Sequence, residues 1–541
     1  MKNWREFLII FLVFCFALVL GIRLFFLQIV RGEYFRALAF GLRGQIEENT
    51  KERGEIFFKD GEPLALNRDY FFVFVLGEKL KDEQKTAEIL SQILNLEKNF
   101  VLEKLKNKTS YSVIKRKLTL EEVEKIKKAK LEGVFLGIER VRYYPQKNLA
   151  SNVVGFVNTQ KKGQYGLEKY FDEILSEGND LVLTLDYKIQ LEAEKLLDKA
   201  KKDFDIEGGQ IVVMEPDSGK ILAMANFPNF DPNSYQNFAD NLEIFKNGVT
   251  QKLFEPGSTF KPITMAAGLN EGKITPETTY VDTGKVEVGG YVIRNYDNRI
   301  WGKQTMTGVL EKSINTGAVF VEKLLPHHVF LDYIARFGIF EPTEIDLPEI
   351  YSENKEFKKG YEVNFATASF GQGIEMTPIQ LARAICAIAN GGKLVRPYLV
   401  EKIIKDGKEI KIEPKIQKES IIAKETALQL TKMLVSTVEN GFAKRAKIPG
   451  YFVAGKTGTA QIPFPSLGIK KSGYSDKTWQ TFVGFAPAFN PKFLVLVKLD
   501  NPKTRAAASS AVVLAQTLMK FIINYYQIPP DYEEKITWEN F

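Results

Sequence analysis

The sequence predicts an α+β protein of several domains: a single N-terminal membrane helix, a mixed α/β module and a larger C-terminal domain. One long apolar run stands near the N-terminus, and charged, mixed patterns follow it to about position 178. Beyond position 180, strand patterns stand at both ends of a helix-rich region, so its sheet must join distant segments. At 541 residues the chain has room for about three domains. We predict boundaries at 1–30, 31–178 and 179–541.

The apolar run predicts a membrane anchor. Phe7 to Ile22 contains sixteen residues without a charge, and the pattern continues past Arg23 to Val30. With Arg23 extended to the interface, one helix over 7–30 is long enough to cross a hydrocarbon core of ~30 Å. A cleaved signal peptide is the alternative, but its apolar core is typically about 7–15 residues. Basic residues flank both sides of the run, so they do not decide its orientation. The short tail before it favours a translocated body.

Composition excludes several function classes. The net charge of +7 is too mild for a nucleic-acid binder of this length. The two cysteines, Cys15 and Cys386, form neither a disulfide framework nor a thiolate metal site. The two histidines, His327 and His328, are adjacent, and we expect them in a surface loop. A Ser-His-Asp triad and a His-rich metal centre are therefore not expected. An activated nucleophile must find another base.

The module at 31–178 shows local structure but no catalytic cluster. Arg53–Ala65 predicts two short strands around a turn. Glu83–Lys106 and Thr119–Leu131 carry helical periodicity, and Thr119 with Glu122 forms a capping box. The many Lys and Glu side chains of these stretches indicate solvated helix faces.

The C-terminal region alternates strand and helix signals, with a hairpin near its start and a long helix near its end. The predicted elements are strand Leu181–Leu185, helix Tyr187–Lys202, hairpin strands Gly209–Met214 and Lys220–Asn226, strands Tyr451–Ala460, Trp479–Phe485 and Phe493–Leu499, and helix Thr504–Tyr526.

Ser258 and Lys261 form a first candidate catalytic pair. A Pro-Gly turn precedes Ser258, which opens a predicted helix running to about Asn270. The i, i+3 spacing puts hydroxyl and amine on one face within reach of each other. A partly desolvated lysine with a lowered pKa can activate a serine hydroxyl. The pattern is weak alone, because an N-cap serine followed by a surface lysine also produces it. It recurs at 112–115 and 352–355.

Ser313 and Asn315 form the second candidate motif, 55 residues after Ser258. The Ser313 hydroxyl could shuttle a proton between Lys261 and a leaving group, and the Asn315 amide could donate to a substrate carbonyl. This spacing is also weak, since it recurs at 352–354.

Lys456, Thr457, Gly458 and Thr459 form the third motif, 198 residues after Ser258. The apolar residues before it predict a strand at a sheet edge. Glycine lets a peptide backbone approach closely, and an extended substrate could add there as a further strand. The Lys456 charge and the two threonine hydroxyls suit a substrate carboxylate. A glycine-containing turn is the alternative, and a variant of the motif at 471–473 lies in polar, loop-like surroundings.

In this order and context, the three motifs resemble those of penicillin-binding proteins and the related β-lactamases. The chain is similar to the class B penicillin-binding proteins, the monofunctional D,D-transpeptidases of bacterial cell-wall synthesis. Only about 145 residues separate the predicted anchor from the catalytic region, which leaves no room for the glycosyltransferase module of class A. Further segments that carry the resemblance are Arg53–Ile56, Arg142–Pro145, Gly155–Val157, Gly166–Glu168, Thr377–Gln380, Ala389–Gly392 and Phe482–Pro487.

The resemblance implies an elongated N-terminal dimerisation or pedestal module. It also implies a penicilloyl-serine transferase (β-lactamase-like) domain, in which helices flank an antiparallel sheet. Ser258 would be the nucleophile and Lys261 its base. The implied site residues are catalytic Ser258, Lys261, Ser313, Asn315 and Lys456, and substrate-binding Thr457, Gly458 and Thr459.

The resemblance also implies the partners and the location. We expect peptidoglycan stem peptides and β-lactams as ligands, no metal, cofactor or nucleic acid, and a polytopic glycan polymerase as protein partner. One helix would hold the protein in the inner or plasma membrane, with the catalytic domain outside the cytoplasm. A serine β-lactamase, a D,D-carboxypeptidase and a non-catalytic scaffold are the alternatives. Glu255 favours the division and spore-type members over the elongation type.

Overall fold

The computed structural model describes residues 4–25, 52–106 and 111–532. The chain divides into two compact units. The smaller groups Met1–Glu52 with Asn67–Tyr143, and the larger groups Arg53–Leu66 with Tyr144–Phe541. In the sequence, the larger unit therefore includes a segment before and a segment after Asn67–Tyr143. The boundary between 178 and 179 stays a prediction from sequence.

Helix α1 (Trp4–Phe25) covers most of the predicted anchor. Residues 26–30 of the predicted 7–30 span lie outside the described residues. Across the described ranges, none of the helices combines the length and the hydropathy needed to cross a membrane.

Strands β1 (Ile56–Phe57) and β2 (Pro63–Leu76) form the hairpin predicted at Arg53–Ala65, with Ile56 opposite Ala65. The part of β2 beyond position 66 belongs to the smaller unit. There it pairs with β3 (Tyr111–Leu118) and β4 (Val134–Tyr143).

Three helices of the smaller unit, α2 (Glu83–Leu94), α3 (Lys98–Leu105) and α4 (Leu120–Ala129), bury their apolar faces in one core with these strands. The periodicity over 83–106 thus belongs to two helices, because Asn95 ends α2 in the left-handed conformation, at φ 51°. The capping box is confirmed: Thr119 and Glu122 each accept the other's backbone N–H at the start of α4.

The larger unit contains most of the secondary structure. Its helices are α5 (Ser151–Val154), α6 (Gly166–Tyr170), α7 (Asp172–Ser176), α8 (Tyr187–Phe204), α9 (Gly248–Gln251), α10 (Lys261–Asn270), α11 (Met306–Glu311), α12 (Asn315–Lys323), α13 (His327–Arg336), α14 (Glu362–Ala368), α15 (Pro378–Ala389), α16 (Lys424–Glu439) and α17 (Ala511–Tyr525). Its further strands are β5 (Phe156–Val157), β6 (Gly163–Gln164), β7 (Asp180–Leu183), β8 (Gly208–Met214), β9 (Ile221–Phe227), β10 (Thr279–Asp282), β11 (Lys285–Val288), β12 (Tyr291–Arg294), β13 (Gly302–Thr305), β14 (Leu394–Val395), β15 (Val400–Lys405), β16 (Lys408–Lys411), β17 (Ile416–Lys418), β18 (Ala454–Pro463), β19 (Tyr474–Ala486) and β20 (Phe493–Asp500).

A five-stranded antiparallel sheet in the order β18–β19–β20–β8–β9 forms the centre of this unit, and it joins the two distant ends of the region as predicted. Alternate residues point to opposite faces. Val213 packs in the core that contains α8 and α17, whereas Val212 packs in the core that contains α10 and α15. Helices therefore cover both faces, and β18 is left at the edge.

Two sequence expectations are wrong in detail. His327 and His328 lie on the surface as expected, but they form the first turn of helix α13 rather than a loop, because Pro326 stands at the N-cap and the buried Phe330, Tyr333 and Ile334 hold the helix that follows. The predicted helix 504–526 begins only at Ala511. The preceding residues form a loop because the buried Gln480 side chain donates to Thr504 O at 2.7 Å and accepts from the Ser510 hydroxyl.

Candidate active site

Ser258 lies in a short 3-10 turn, Gly257–Phe260, that leads directly into α10. This confirms the predicted helix start. The Gly257 N–H donates to Gly371 O at 2.9 Å, and Gly257 itself is left-handed at φ 54°. A Cβ on Gly371 would lie 2.1 Å from Gly257 O. Because neither glycine has a side chain, the two backbones approach closely enough for this hydrogen bond to hold the turn in place.

Lys261 follows one turn later and is fully buried. Its Nζ lies 3.0 Å from Ser258 Oγ. The amine also donates to Ser313 O at 2.6 Å and to Asn315 Oδ1 at 2.9 Å. Lys261 is thus not the surface lysine of the alternative interpretation, and the first two motifs meet at its amine.

Ser313 occupies the tight connection between α11 and α12, in the left-handed conformation at φ 55°. Non-glycine residues rarely adopt this conformation, and they do so mainly where the surrounding structure imposes it. Ser313 Oγ lies 3.3 Å from Lys261 Nζ and accepts a hydrogen bond from Lys456 Nζ at 2.9 Å. The Ser313 hydroxyl therefore bridges the two lysines.

Lys456 lies on β18, an edge strand of the central sheet, as the apolar pattern before it predicts. Its side chain is buried, and its Nζ also donates to Thr457 O at 3.0 Å. A Cβ on Gly458 would lie 2.7 Å from Pro256 O. Only glycine at this position lets the strand pass so close to the turn that carries Ser258.

Burial sets the electrostatics of both amines. It lowers the pKa of Lys456 to about 7. Burial, with the nearby Lys456 charge as a second cause, holds the pKa of Lys261 well below its usual value. A depressed lysine pKa favours the neutral amine, whose lone pair can accept a proton near neutral pH.

A cavity of about 650 Å³ opens in front of Ser258. Ser313, Asn315, Thr457 and Thr459 also line it. Thr459 Oγ1 accepts the Ala507 N–H at 3.2 Å, and Asn315 Nδ2 donates to Arg294 O at 3.1 Å. The structure therefore brings all three sequence motifs to one groove.

Other residues of the site carry no motif that sequence reasoning could find. The buried Asn295 side chain accepts the Asn315 and Thr316 N–H groups at 3.0 and 3.1 Å, and donates to both oxygens of Asp282 at 2.9 Å. This network fixes the start of α12. The loop that contains Arg505 also lines the cavity.

Comparison with known families decides the assignment. The family profile for the penicillin binding protein transpeptidase domain matches residues 209–520, and that for the penicillin-binding protein dimerisation domain matches residues 48–182. The chain belongs to the class B penicillin-binding proteins. The dimerisation-domain match over 48–182 contains four of the segments that carry the resemblance: Arg53–Ile56, Arg142–Pro145, Gly155–Val157 and Gly166–Glu168.

Individual relatives of this penicillin-binding protein cover most of its length. Stage V sporulation protein D of Bacillus subtilis is 34% identical over 92% of this chain and 81% of its own. Peptidoglycan D,D-transpeptidase FtsI of Buchnera aphidicola is 30% identical over 98% of this chain and 96% of its own. Among solved structures, penicillin binding protein 3 of Mycobacterium tuberculosis in complex with aztreonam shares 25% identity, with a TM-score of 0.70 over 89% of this chain and 98% of that one.

Proposed function

We propose that this protein is a peptidoglycan D,D-transpeptidase that cross-links stem peptides through an acyl intermediate on Ser258. The proposal depends above all on the buried Lys261 amine, 3.0 Å from Ser258 Oγ. The names of the relatives, which include peptidoglycan D,D-transpeptidases, support the same reaction.

In the first step, Ser258 Oγ attacks the carbonyl carbon of the penultimate D-Ala, and Lys261 takes the hydroxyl proton. Ser313 O and Asn315 Oδ1 can only accept hydrogen bonds, so they engage the two N–H bonds of a neutral amine. The lone pair of Lys261 then remains for the Ser258 hydroxyl, which is the arrangement that a general base requires.

The developing oxyanion lies between the backbone N–H groups of Ser258 and Thr459 in this proposal. Each such donor contributes roughly 3–4 kcal/mol to transition-state stabilisation in other acyl-transfer sites. The C–N bond to the terminal D-Ala then breaks, and its nitrogen receives a proton through Ser313 and Lys456. The short contacts from Ser313 Oγ to both lysines support this relay.

Substrate binding uses the edge of the sheet. Thr457, Gly458 and Thr459 bind the terminal carboxylate beside the Lys456 charge, and Asn315 holds a stem-peptide amide. An amine from a neighbouring stem peptide attacks the acyl-Ser258 carbonyl, forms the cross-link and releases the serine. A β-lactam enters the same site and leaves a slowly hydrolysed acyl-Ser258.

The experiment is labelling with a fluorescent penicillin. Ser258→Ala should abolish the label. The matched control is Ser352→Ala, which removes the serine of a second Ser-x-x-Lys pattern whose hydroxyl accepts the Asn354 N–H in its own loop. Labelling of Ser258→Ala at the wild-type level contradicts the proposal. Adding an acceptor amine to a D-Ala-D-Ala peptide assay separates cross-linking from simple hydrolysis.

We further propose that residues 7–30 anchor the protein in the inner or plasma membrane, with the catalytic unit outside the cytoplasm. The sixteen uncharged residues Phe7–Ile22 support this proposal. Full-length protein should sediment with membranes and dissolve only in detergent, whereas a variant lacking 1–30 should stay in the supernatant. A full-length protein that washes off membranes in high salt contradicts the anchor.

The partner that we propose is a polytopic glycan polymerase, contacted through the anchor and the smaller unit. The match of 48–182 to a dimerisation domain supports a binding role for this part of the chain. Replacing 67–143 by a short linker should abolish co-purification with the polymerase while penicillin labelling persists. Unchanged co-purification contradicts the proposal. Glu255 and the similarity to sporulation and FtsI proteins favour a role in division or sporulation.

A further inference from the structure

The groove in front of Ser258 carries more positive than negative charge. Four cationic residues, Arg294, Arg299, Lys312 and Arg505, line it together with two acidic residues, Asp297 and Asp476. The buried Lys261 and Lys456, which the proposed reaction uses, are additional to these four. The excess of positive charge among the groove-lining residues is therefore not accounted for by the two catalytic lysines.

Asp297 cannot neutralise both of the arginines beside it, Arg299 and Arg505. Its carboxylate lies 2.8 Å from an Arg505 nitrogen and 3.6 Å from an Arg299 nitrogen, so one negative charge serves two guanidinium groups. The Tyr296 hydroxyl also donates to Arg505 O at 3.4 Å. These contacts join the loop after β12 to the loop before α17 at the groove.

Arg294 and Lys312 add charge without a counter-ion. In the part of the chain that the structure describes, no carboxylate oxygen lies within 4 Å of either cationic group. Lys312 donates to a neutral acceptor, Gln304 Oε1, at 2.7 Å. Arg294 is exposed, and its carbonyl accepts the Asn315 amide at 3.1 Å. Both residues line the groove together with Asn315, which holds the stem peptide in the proposed mechanism, so the groove carries positive charge that no neighbouring carboxylate offsets.

We infer that this groove selects donor stem peptides that carry a second free carboxylate, upstream of D-Ala-D-Ala, over peptides in which that group is an amide. The inference rests on the proposed transpeptidase function. In the proposed mechanism the terminal carboxylate is bound at Lys456 and the two threonines, so the cations that line the groove remain for another anion. A carboxylate pairs its negative charge with a guanidinium group and can accept two parallel hydrogen bonds from it, whereas a carboxamide is neutral and offers one acceptor oxygen.

The test compares two synthetic peptides that end in D-Ala-D-Ala and differ only in one upstream side chain, carboxylate or carboxamide. The measurement is kcat/KM for D-alanine release. The wild-type protein should prefer the carboxylate about ten-fold, as expected for one hydrogen bond to a charged group. The preference should shrink as salt is raised, because exposed charges are screened.

Two substitutions that change the charge of the groove in opposite directions separate a charge effect from a general loss of structure. Arg294→Gln should reduce the preference to about two-fold or less. Asp297→Asn should increase it, and asparagine suits the left-handed backbone at this position, φ 56°. Lys285→Gln is the matched control, because Lys285 is an exposed cation opposite Arg294 on the same hairpin but does not line the groove. It should leave the ratio unchanged.

Equal rates for both peptides, or a preference that Arg294→Gln and Asp297→Asn leave unaltered, overturn the inference. Fluorescent penicillin labelling is measured in parallel. Normal labelling of Ser258 together with equal peptide rates overturns the inference alone and leaves the transpeptidase proposal standing. Absence of labelling on Ser258 overturns the proposed function, and the inference with it.

Discussion

Replacing Lys456 by glutamine should change the pH dependence of acylation as well as its rate. Both lysine amines contact Ser313 Oγ, at 2.9 and 3.3 Å, so they lie at most about 6 Å apart. Glutamine keeps a hydrogen-bond donor for Ser313 but removes the charge. Since that charge is one cause of the low pKa of Lys261, its loss raises this pKa.

The size of the effect follows from Coulomb's law. Two unit charges about 6 Å apart at an effective dielectric constant of about 20 repel by about 3 kcal/mol, which corresponds to about two pKa units. Lys456 itself has a pKa of about 7, so it exerts the full effect only below neutral pH. We therefore expect the acid limb of the acylation profile to move upward by about one to two pH units.

The assay is the second-order rate constant for acylation by a fluorescent penicillin, measured from pH 5 to 10 at constant ionic strength. The pH at the midpoint of the acid limb is read independently of the maximal rate constant, which also falls in the variant. Lys456→Arg is the control, because arginine keeps a permanent charge at this position and should not raise the midpoint. An acid limb of Lys456→Gln that stays in place, or moves to lower pH, refutes the coupling between the two lysines.

Three further predictions concern single substitutions. Lys261→Ala should slow penicillin acylation by about 10²–10⁴-fold in a protein that still folds, as judged by its circular dichroism spectrum, and near-wild-type acylation would require another base. Gly458→Ala should cost about 1–3 kcal/mol in denaturant unfolding and reduce acylation about 10²-fold, because its Cβ meets Pro256 O; equal stability and rate contradict the packing argument. Burial raises the pKa of Glu255 to about 8, so the folded state binds a proton that the unfolded chain releases above pH 4.5, and stability falls as pH rises through this window. Glu255→Gln should make the melting temperature less dependent on pH between pH 5 and 9. If the pH dependence is unchanged in this variant, groups other than Glu255 cause it.

The local parts of the fold could be predicted because each depends on neighbouring residues. The helix start at Ser258, the hairpin of β8 and β9, and the capping box at Thr119 follow from turn residues and periodicity within a few positions. Periodicity predicts a helix from Thr504, but the helix begins only at Ala511 because a distant side chain, Gln480, holds the preceding segment as a loop. Periodicity alone contains no record of such a contact.

The site was predictable for a different reason. Ser258, Ser313 and Lys456 are far apart in the chain, and each motif is weak alone, but their order and local contexts together indicated one groove. The supporting residues Asn295 and Arg505 could not be found in this way. They act through side-chain contacts across about 20 and 208 positions, and neither contact leaves a local pattern.

The most direct test of the central claim is peptide mass spectrometry of the full-length protein after treatment with penicillin. The Lys261 amine beside the Ser258 hydroxyl predicts one stoichiometric adduct, on the peptide that contains Ser258. An adduct on any other serine, such as Ser313 or Ser352, or no adduct at saturating penicillin, would contradict the assignment of the nucleophile.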